Sequence, residues 1–342
     1  MSENVLENPL LGQAKSSKNF IFDLSPLIKL TEYKNNQSII RYFYSKFDRN
    51  KFERVMSCAK VLILKKLEHT QTKEQKLEID HFTTCQIRFC AVCVWRRQMK
   101  FAKLTYQMLE KIKQLMKVRY IFLTLTIKNP PFGDLKETIK HMQAAFKRMV
   151  KTAQWQRSIL GYCRVFEITK PKCAKEQGNI HPHFHVLLAV KSSYFSGSDG
   201  KYLTKDDYAD MWQKALRTDY TPICDVRIIK PKTKDGKTVK DIPAAIAELI
   251  KYPMKDTDLK ALSLEEFKSL DQQMRRVRAI NYGGILKEAN KQNIDEVELD
   301  ESDLEQWREI ETIIMEYHSK SRNYLVAYKK NKEQQQEISA EN

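Results

Sequence analysis

Alternating apolar and polar positions predict four β-strands in the middle of the chain. They are residues 118–127 (VRYIFLTLTI), 161–170 (GYCRVFEITK), 181–190 (HPHFHVLLAV) and 223–229 (ICDVRII). β-Branched and aromatic residues are frequent in these runs, and the turn-forming stretch NPPFGD ends the first of them. Helical spacing of apolar residues predicts three helices, at 135–155, 204–217 and 242–255.

The predicted elements follow one another in the order β-α-β-β-α-β, with a further helix at the end. This order is typical of the split βαβ arrangement, a ferredoxin-like antiparallel sheet with helices. We therefore expect an α+β fold. The regions predicted along the chain are a loosely ordered lead-in (1–50), a Cys-rich basic region (51–117), the central α+β domain (118–256) and a mainly helical C-terminal region with an acidic segment (257–342).

The charge balance indicates a polyanionic partner. The 342 residues carry a formal net charge of +17, and the basic residues are spread through most of the sequence. Such an excess favours binding to nucleic acid. Residues 295–316 are the exception, with ten acidic residues and one Arg. This segment is expected either to dock on the basic body or on a partner protein, or to form a solvated acidic helix.

The absence of two sequence patterns, a membrane or secretory segment and an ATP-binding motif, excludes some classes of function. No run of about 18 apolar residues is present and the first residues lack a secretory pattern, so a cytoplasmic protein without a membrane partner is expected. The sequence also contains no GxxxxGK[ST] motif, so strand separation driven by ATP would need a separate helicase.

The strand at 181–190 contains a candidate metal site. His183 and His185 share one face of that strand because strand side chains alternate, and Glu167 on the preceding strand is expected near the same face. Two imidazoles and one carboxylate leave coordination positions open, which suits a divalent ion that also holds a substrate phosphate. The alternative is an ordinary pair of histidines. His181 is either a further ligand or a loop residue.

The helix at 242–255 contains a candidate nucleophile. Glu248 and Tyr252 are four residues apart and so share a helix face, with Lys251 and Lys255 nearby. A tyrosine that attacks a phosphodiester forms a covalent phosphotyrosine, and a neighbouring carboxylate can activate the tyrosine or a later water. The alternative is a packing tyrosine on an ordinary helix face.

A cysteine cluster precedes the central domain. Cys85, Cys90 and Cys93 have the spacing C-x4-C-x2-C, and with His81 as the fourth ligand they could bind zinc. The alternative is a group of reduced thiols around a helix start. The other cysteines are expected to be ordinary reduced thiols: Cys58, Cys163, Cys173 and Cys224.

Basic residues follow the cysteines on a predicted helix. Arg96, Arg97 and Lys100 are expected to contact DNA phosphates, or else to form a solvated face.

Taken together and in this order, the motifs resemble those of the tyrosine-dependent replication initiators of small rolling-circle plasmids, which are HUH endonucleases. The matching stretches are CQIRFCAVCVWRRQMK (85–100), FLTLT (122–126), HPHFHVLL (181–188), ELIKYPMK (248–255) and NYGGILKE (281–288). The resemblance covers about residues 50–290. The chain reads CAVC where the family often has CPxC, so the turn geometry at that point is in doubt.

The resemblance implies an HUH endonuclease domain at 118–256 that nicks one strand at a plasmid origin, keeps the 5′ end on a tyrosine and later rejoins it. It implies that His183 and His185 bind Mn²⁺ or Mg²⁺, with Glu167 as an additional ligand. Tyr252 matches the nucleophile, and Glu248 matches the carboxylate that activates water at termination. The implied partners are origin DNA, single-stranded or in an extruded hairpin, and the host helicase and replication machinery. A second copy of the chain, in a homo-oligomer, is a further possible partner.

Two other classes share part of these features. A related HUH transposase or relaxase would use the same chemistry, although relaxases usually carry the tyrosine before the HUH motif. A non-catalytic, zinc-containing DNA-binding regulator would explain the charge and the cysteines, but not the order of the other motifs.

Overall fold

The structure of the chain is a computed structural model. It describes residues 25–171, 176, 178–196, 202–229, 232–234, 237–239, 246, 249, 254–295 and 307–331. The chain divides into two compact units. The first unit comprises the residues up to 96 together with those from 298, and the second unit comprises residues 97–297.

The helices, in chain order, are α1 (Ser25–Asn35), α2 (Ser38–Phe47), α3 (Arg49–Ser57), α4 (Ala91–Leu115), α5 (Leu135–Met149), α6 (Ala153–Ser158), α7 (Lys205–Leu216), α8 (Asp256–Lys260), α9 (Leu264–Gln273) and α10 (Ile285–Asp295). The strands are β1 (Val61–His69), β2 (Gln75–Phe82), β3 (Val118–Thr126), β4 (Gly161–Thr169), β5 (His181–Lys191), β6 (Cys224–Ile228), β7 (Lys232–Lys234), β8 (Lys237–Val239), β9 (Ile280–Gly284), β10 (Trp307–His318) and β11 (Asn323–Asn331). Among the described residues, no helix combines the length and the apolar composition that a membrane crossing requires.

The first unit combines the helices α1 to α3 with a four-stranded antiparallel sheet. The strand order is β11-β10-β1-β2, so β1 pairs with its hairpin neighbour β2 on one side and with β10 on the other. Helix α2 buries Ile40, Phe43 and Tyr44, which recur at helical spacing. Strand β1 buries Leu62 and Leu64, which alternate with more exposed residues. Each element thus contributes one apolar face to the core.

Two expectations for the ends of the chain are wrong. Residues 25–50 form α1, α2 and the start of α3 rather than a loose lead-in, because their apolar residues are buried at helical spacing. The C-terminal region contains the three helices α8, α9 and α10, as predicted, but residues 307–331 form two strands rather than helix. In β10 the buried residues Ile313 and Met315 alternate with the half-buried Thr312, Ile314 and Glu316, and pairing with β1 selects the extended form.

The second unit contains a five-stranded antiparallel sheet of order β6-β3-β5-β4-β9. Its first four strands and the helices α5 and α7 follow the predicted order β-α-β-β-α-β. Strand β5 lies between β3 and β4, which is the split βαβ arrangement. The predicted α+β fold is therefore confirmed, and β9 extends the sheet beyond β4.

Both faces of this sheet are covered. On one face Phe184 of β5 packs against Phe146 of α5, with ring centroids 5.9 Å apart, and against Trp212 of α7 at 6.3 Å. On the other face residues of α4 and α10 join a buried cluster with Phe122, Val165 and Leu187. Because side chains alternate along a strand, the odd-numbered residues of β5 face this cluster.

A close approach between chain segments explains the glycine pair in NYGGILKE. Gly284 pairs with Gly161 where β9 turns into α10, and its φ of +58° lies in the left-handed region. A Cβ atom at Gly284 would come within 2.2 Å of the carbonyl oxygen of Leu160. Only glycine fits this position without displacing backbone.

We expect Gly284→Ala to destabilise the protein by at least about 2 kcal/mol, because it adds backbone strain to a collision with backbone. Chemical denaturation measures the change. Gly133→Ala is the matched control, since a Cβ at Gly133 meets no atom within 4 Å. Equal unfolding midpoints for the two variants would contradict this account.

Candidate metal centre

Two neighbouring strands bring Glu167, His183 and His185 together. The two histidines are separated by one residue on β5 and project from the same face. In the antiparallel pairing of β4 with β5, Glu167 lies directly opposite His183. The three predicted residues therefore meet on the sheet face that also carries the buried cluster.

The ligand atoms of these three side chains converge on a small volume. The Oε2 atom of Glu167 lies 2.6 Å from Nε2 of His185 and 3.2 Å from Nε2 of His183. The two Nε2 atoms are 3.1 Å apart. All three side chains are buried. Three potential ligands within 4.8 Å of one another can hold one metal ion and leave further coordination positions for other groups.

Hydrogen bonds at the far side of each ring orient the histidines. Nδ1 of His183 lies 3.3 Å from the carbonyl oxygen of His181, which only accepts, so this nitrogen carries the proton. Nδ1 of His185 lies 3.3 Å from the hydroxyl of Thr124, which can accept in the same way. Each Nε2 atom then faces Glu167, where it can either donate a hydrogen bond to the carboxylate or present a lone pair to a metal ion. Such second hydrogen bonds are typical of histidines that bind metal.

The carboxylate of Glu167 adds negative charge to this group of potential ligands. Burial alone would raise the pKa of Glu167, but hydrogen bonds to His183 and His185 outweigh it and hold the pKa well below its usual range. An ionised carboxylate beside two imidazole nitrogens in a buried site can also be matched by a cation, which would replace the hydrogen-bonding protons between them. The donor set therefore fits a divalent metal ion.

The stretch FLTLT has a role that the sequence pattern did not reveal. Phe122 stacks on the ring of His185, with centroids 5.2 Å apart, and Thr124 contacts the Nδ1 atom of the same histidine. Strand β3 thus supports His185 from two sides. The signal in the sequence was only the alternation of the strand, because the pairing of Thr124 with His185 is a property of the sheet.

His181 lies beside the centre but outside the group of three. Its Nδ1 atom is 2.6 Å from Oδ1 of Asn129, and its ring centroid is 4.9 Å from that of His183. Burial, and then the neighbouring charge of His183, lower the pKa of His181.

The predicted tyrosine motif is only partly described. Glu248, Lys251 and Tyr252 lie outside the described residues. Two residues of the same predicted helix, Ile246 and Leu249, are buried in the cluster on the histidine face of the sheet.

Helix α8, which follows this motif, also lies near the centre. Burial raises the pKa of Asp258 in α8, and the charge of Glu167 raises it further while Lys255 lowers it. Lys255 is exposed immediately before this helix. Asp258 is therefore near enough to Glu167 for the two carboxylates to interact.

The predicted DNA-contacting residues on α4 are exposed: Arg96, Arg97 and Lys100. The guanidinium of Arg96 lies over the ring of Phe82, 6.0 Å from its centroid. Exposure leaves these side chains accessible to phosphate, as the DNA-binding interpretation requires.

The cysteine cluster differs from the prediction in one member. Cys85, Cys90 and Cys93 lie together, and the fourth ligand atom beside them belongs to Cys58. His81 is exposed on β2 and is not part of the group. The expectation that His81 completes the set, and that Cys58 is an ordinary thiol, is therefore corrected. Spacing along the chain could not show this, because the end of α3 reaches the cluster only through the fold.

A family model described as "Replication protein" matches residues 76–336. "Protein rep" of Streptococcus pneumoniae serotype 2 strain D39 is 35% identical over 240 residues, 70% of this chain and 71% of the relative. "Protein rep" of Bacillus amyloliquefaciens is 34% identical over 297 residues, 81% of this chain and 85% of the relative. "Protein rep" of Lactiplantibacillus plantarum is 32% identical over 289 residues, 80% of this chain and 87% of the relative. No solved structure matches the chain.

The fold and the centre define a protein with an α+β domain and a two-histidine, one-carboxylate site. The chain belongs to the replication protein family, and it is a plasmid replication initiator, as the motif resemblance predicted.

Metal binding at this centre is testable by thermal unfolding. We expect Mn²⁺ to raise the Tm of the wild-type chain, since a ligand at about 100 times its Kd stabilises by about 2.7 kcal/mol. His183→Ala and His185→Ala should lose this response because each removes a ligand. His141→Ala is the control, since that imidazole contacts the carbonyl oxygen of Leu216 instead. An undiminished Mn²⁺ response in both ligand variants would contradict the assignment.

Proposed function

We propose that this replication initiator starts rolling-circle replication by nicking one strand of origin DNA and holding its 5′ end as a phosphotyrosine. The observation that carries the proposal is the convergence of Glu167, His183 and His185 in one buried group. A protein that only binds DNA has no need for a buried carboxylate with two oriented imidazoles, since burial of such groups costs free energy.

The cofactor proposed for this centre is Mn²⁺ or Mg²⁺, held by Glu167, His183 and His185. When bound, the ion would withdraw charge from the scissile phosphate and would help to position it. The chain itself contributes the preorganisation. Thr124 and Phe122 hold the His185 ring, and the carbonyl of His181 holds the His183 ring.

The surroundings of the centre support Tyr252 as the nucleophile. Ile246 and Leu249 precede it and are buried on the histidine face of the sheet. Asp258 follows it and interacts electrostatically with Glu167. In the sequence, Tyr252 is three positions after Leu249 and six positions before Asp258.

In the proposed first step, the Tyr252 oxygen attacks the scissile phosphorus. The bond from the tyrosine oxygen to phosphorus forms, and the bond from phosphorus to the 3′ oxygen breaks. The tyrosine loses its proton, and the 3′ oxygen takes up a proton to become a free hydroxyl that a polymerase can extend. The basic side chain of Lys251 can balance the negative charge of the phosphate.

In the proposed last step, the 5′ end is released. A 3′ hydroxyl can attack the phosphotyrosine and rejoin the strand, returning the proton to Tyr252. Where water is the attacking group, Glu248 accepts a proton from water, the bond from the water oxygen to phosphorus forms, and the bond from phosphorus to the Tyr252 oxygen breaks. The Tyr252 oxygen takes up a proton and is restored as the hydroxyl.

Recognition of the DNA is assigned to the basic side chains. The proposed phosphate contacts are Arg96, Arg97, Lys100, Lys251 and Lys255. Phosphate contacts give salt-dependent affinity without reading sequence. The proposed substrate is single-stranded or hairpin-extruded origin DNA, and a separate host helicase would open the duplex further.

The nucleophile is tested with labelled single-stranded origin DNA and Mn²⁺. We expect Tyr252→Phe to keep DNA binding but to form no covalent adduct, because only the attacking hydroxyl is removed. Tyr106→Phe, on an exposed face of α4, is the matched control and should form the adduct normally. Mass spectrometry that maps the adduct to a different tyrosine would overturn the role of Tyr252.

The role of Glu248 is tested by following the adduct over time. We expect Glu248→Ala to nick and to form the adduct but to release the DNA slowly, because the base that activates water is lost. Glu265→Ala, at the exposed start of α9, is a charge-matched control. Wild-type release kinetics in Glu248→Ala would remove Glu248 from the last step.

A further inference from the structure

We propose that the first unit contains a structural zinc site whose four ligands are Cys58, Cys85, Cys90 and Cys93. The four side chains are at most 5% exposed. They come from separate segments, namely the end of α3, the loop after β2 and the first turn of α4. This site is independent of the proposed nicking chemistry.

The distances between the sulfur atoms fit tetrahedral zinc. The Sγ atoms of Cys58 and Cys93 are 3.7 Å apart, those of Cys58 and Cys90 are 3.6 Å apart, and those of Cys85 and Cys93 are 3.5 Å apart. A Zn–S bond of about 2.3 Å gives tetrahedron edges of about 3.8 Å. These sulfur–sulfur distances are also much longer than the roughly 2.05 Å of a disulfide bond.

Hydrogen-bond donors point at the sulfurs. The side-chain amide of Gln37, which is fully buried, donates to Sγ of Cys90 at 3.0 Å. The backbone N–H of Cys85 donates to Sγ of Cys58 at 3.4 Å. Donors of this kind favour the thiolate form, which is the form that binds metal.

A buried lysine supplies the opposite charge. Four thiolates around Zn²⁺ carry a net charge of −2, which is costly in a buried site without a counter-charge. Lys34 is 1% exposed, and its ammonium group donates to the carbonyl oxygens of Met56 and Cys58. Among the described residues, no carboxylate forms an ion pair with Lys34. The contact with the carbonyl of Cys58 places this ammonium group beside one of the four cysteines, where its charge would offset that of the thiolates.

Four protein ligands complete the tetrahedron and leave no position for a substrate, so the ion is structural. It would join the end of α3 to the start of α4 and to the segment that follows β2. Cys58 takes the place that the sequence pattern assigned to His81. The exposed basic residue Arg96 lies three positions after Cys93, so the site would also hold the start of that helix in place.

The test uses the full chain, purified under reducing conditions without chelator. We expect about one zinc per chain by metal analysis. Replacement by Co²⁺ should give the absorption of a tetrahedral cobalt ion with four thiolates, including thiolate-to-cobalt charge transfer. The metal centre at His183 has no thiolate and cannot produce this band. The His183→Ala/His185→Ala chain should therefore keep it, even if nicking is lost.

Two variants identify the fourth ligand. Cys58→Ser should lose the four-thiolate spectrum and most of the zinc, whereas His81→Ala should keep both. Cys224→Ser replaces a buried thiol of the second unit and is the control for cysteine removal. If the wild-type chain contains no zinc and shows no thiolate-to-cobalt band, the proposed site is wrong. This outcome can be observed without any variant. An unchanged spectrum in Cys58→Ser with loss in His81→Ala would return the fourth position to His81.

Discussion

The register between β4 and β5 is the constraint on which the candidate metal centre depends. It places Glu167 opposite His183, within reach of both imidazoles. A shift of one residue would move the carboxylate to the opposite face of the sheet, which α5 and α7 cover. The centre also depends on the position of β5 between β3 and β4. Strand β4 brings Glu167 to one side of β5, and strand β3 brings Thr124 to the other side.

The centre and the core share one face of the sheet, and this determines how rigidly the ligands are held. Phe122 belongs to the buried cluster and also stacks on His185. Ile246 and Leu249 belong to the same cluster. A site supported by packed side chains on strands keeps its geometry better than one supported by loops. The strands thus combine the roles of scaffold and ligand source.

The two candidate metal groups differ in chemistry. Imidazole and carboxylate ligands with open positions suit an ion that contacts phosphate, whereas four thiolates suit a closed zinc site. In each group, neighbouring side chains offset the buried negative charge. Glu167 is stabilised by hydrogen bonds to His183 and His185, and the cysteines have Lys34 nearby. The first group would serve the reaction on DNA, and the second would stabilise its own unit.

The sequence by itself determined the β-α-β-β-α-β order, the shared face of His183 and His185, and three of the four clustered cysteines. These features follow from local periodicity and short spacing, which do not need long-range information. Only the tertiary structure decided that β10 is a strand, that Cys58 replaces His81, and that FLTLT supports His185. Each of these depends on segments that are distant in sequence and meet through sheet pairing or helix packing, which no local pattern encodes.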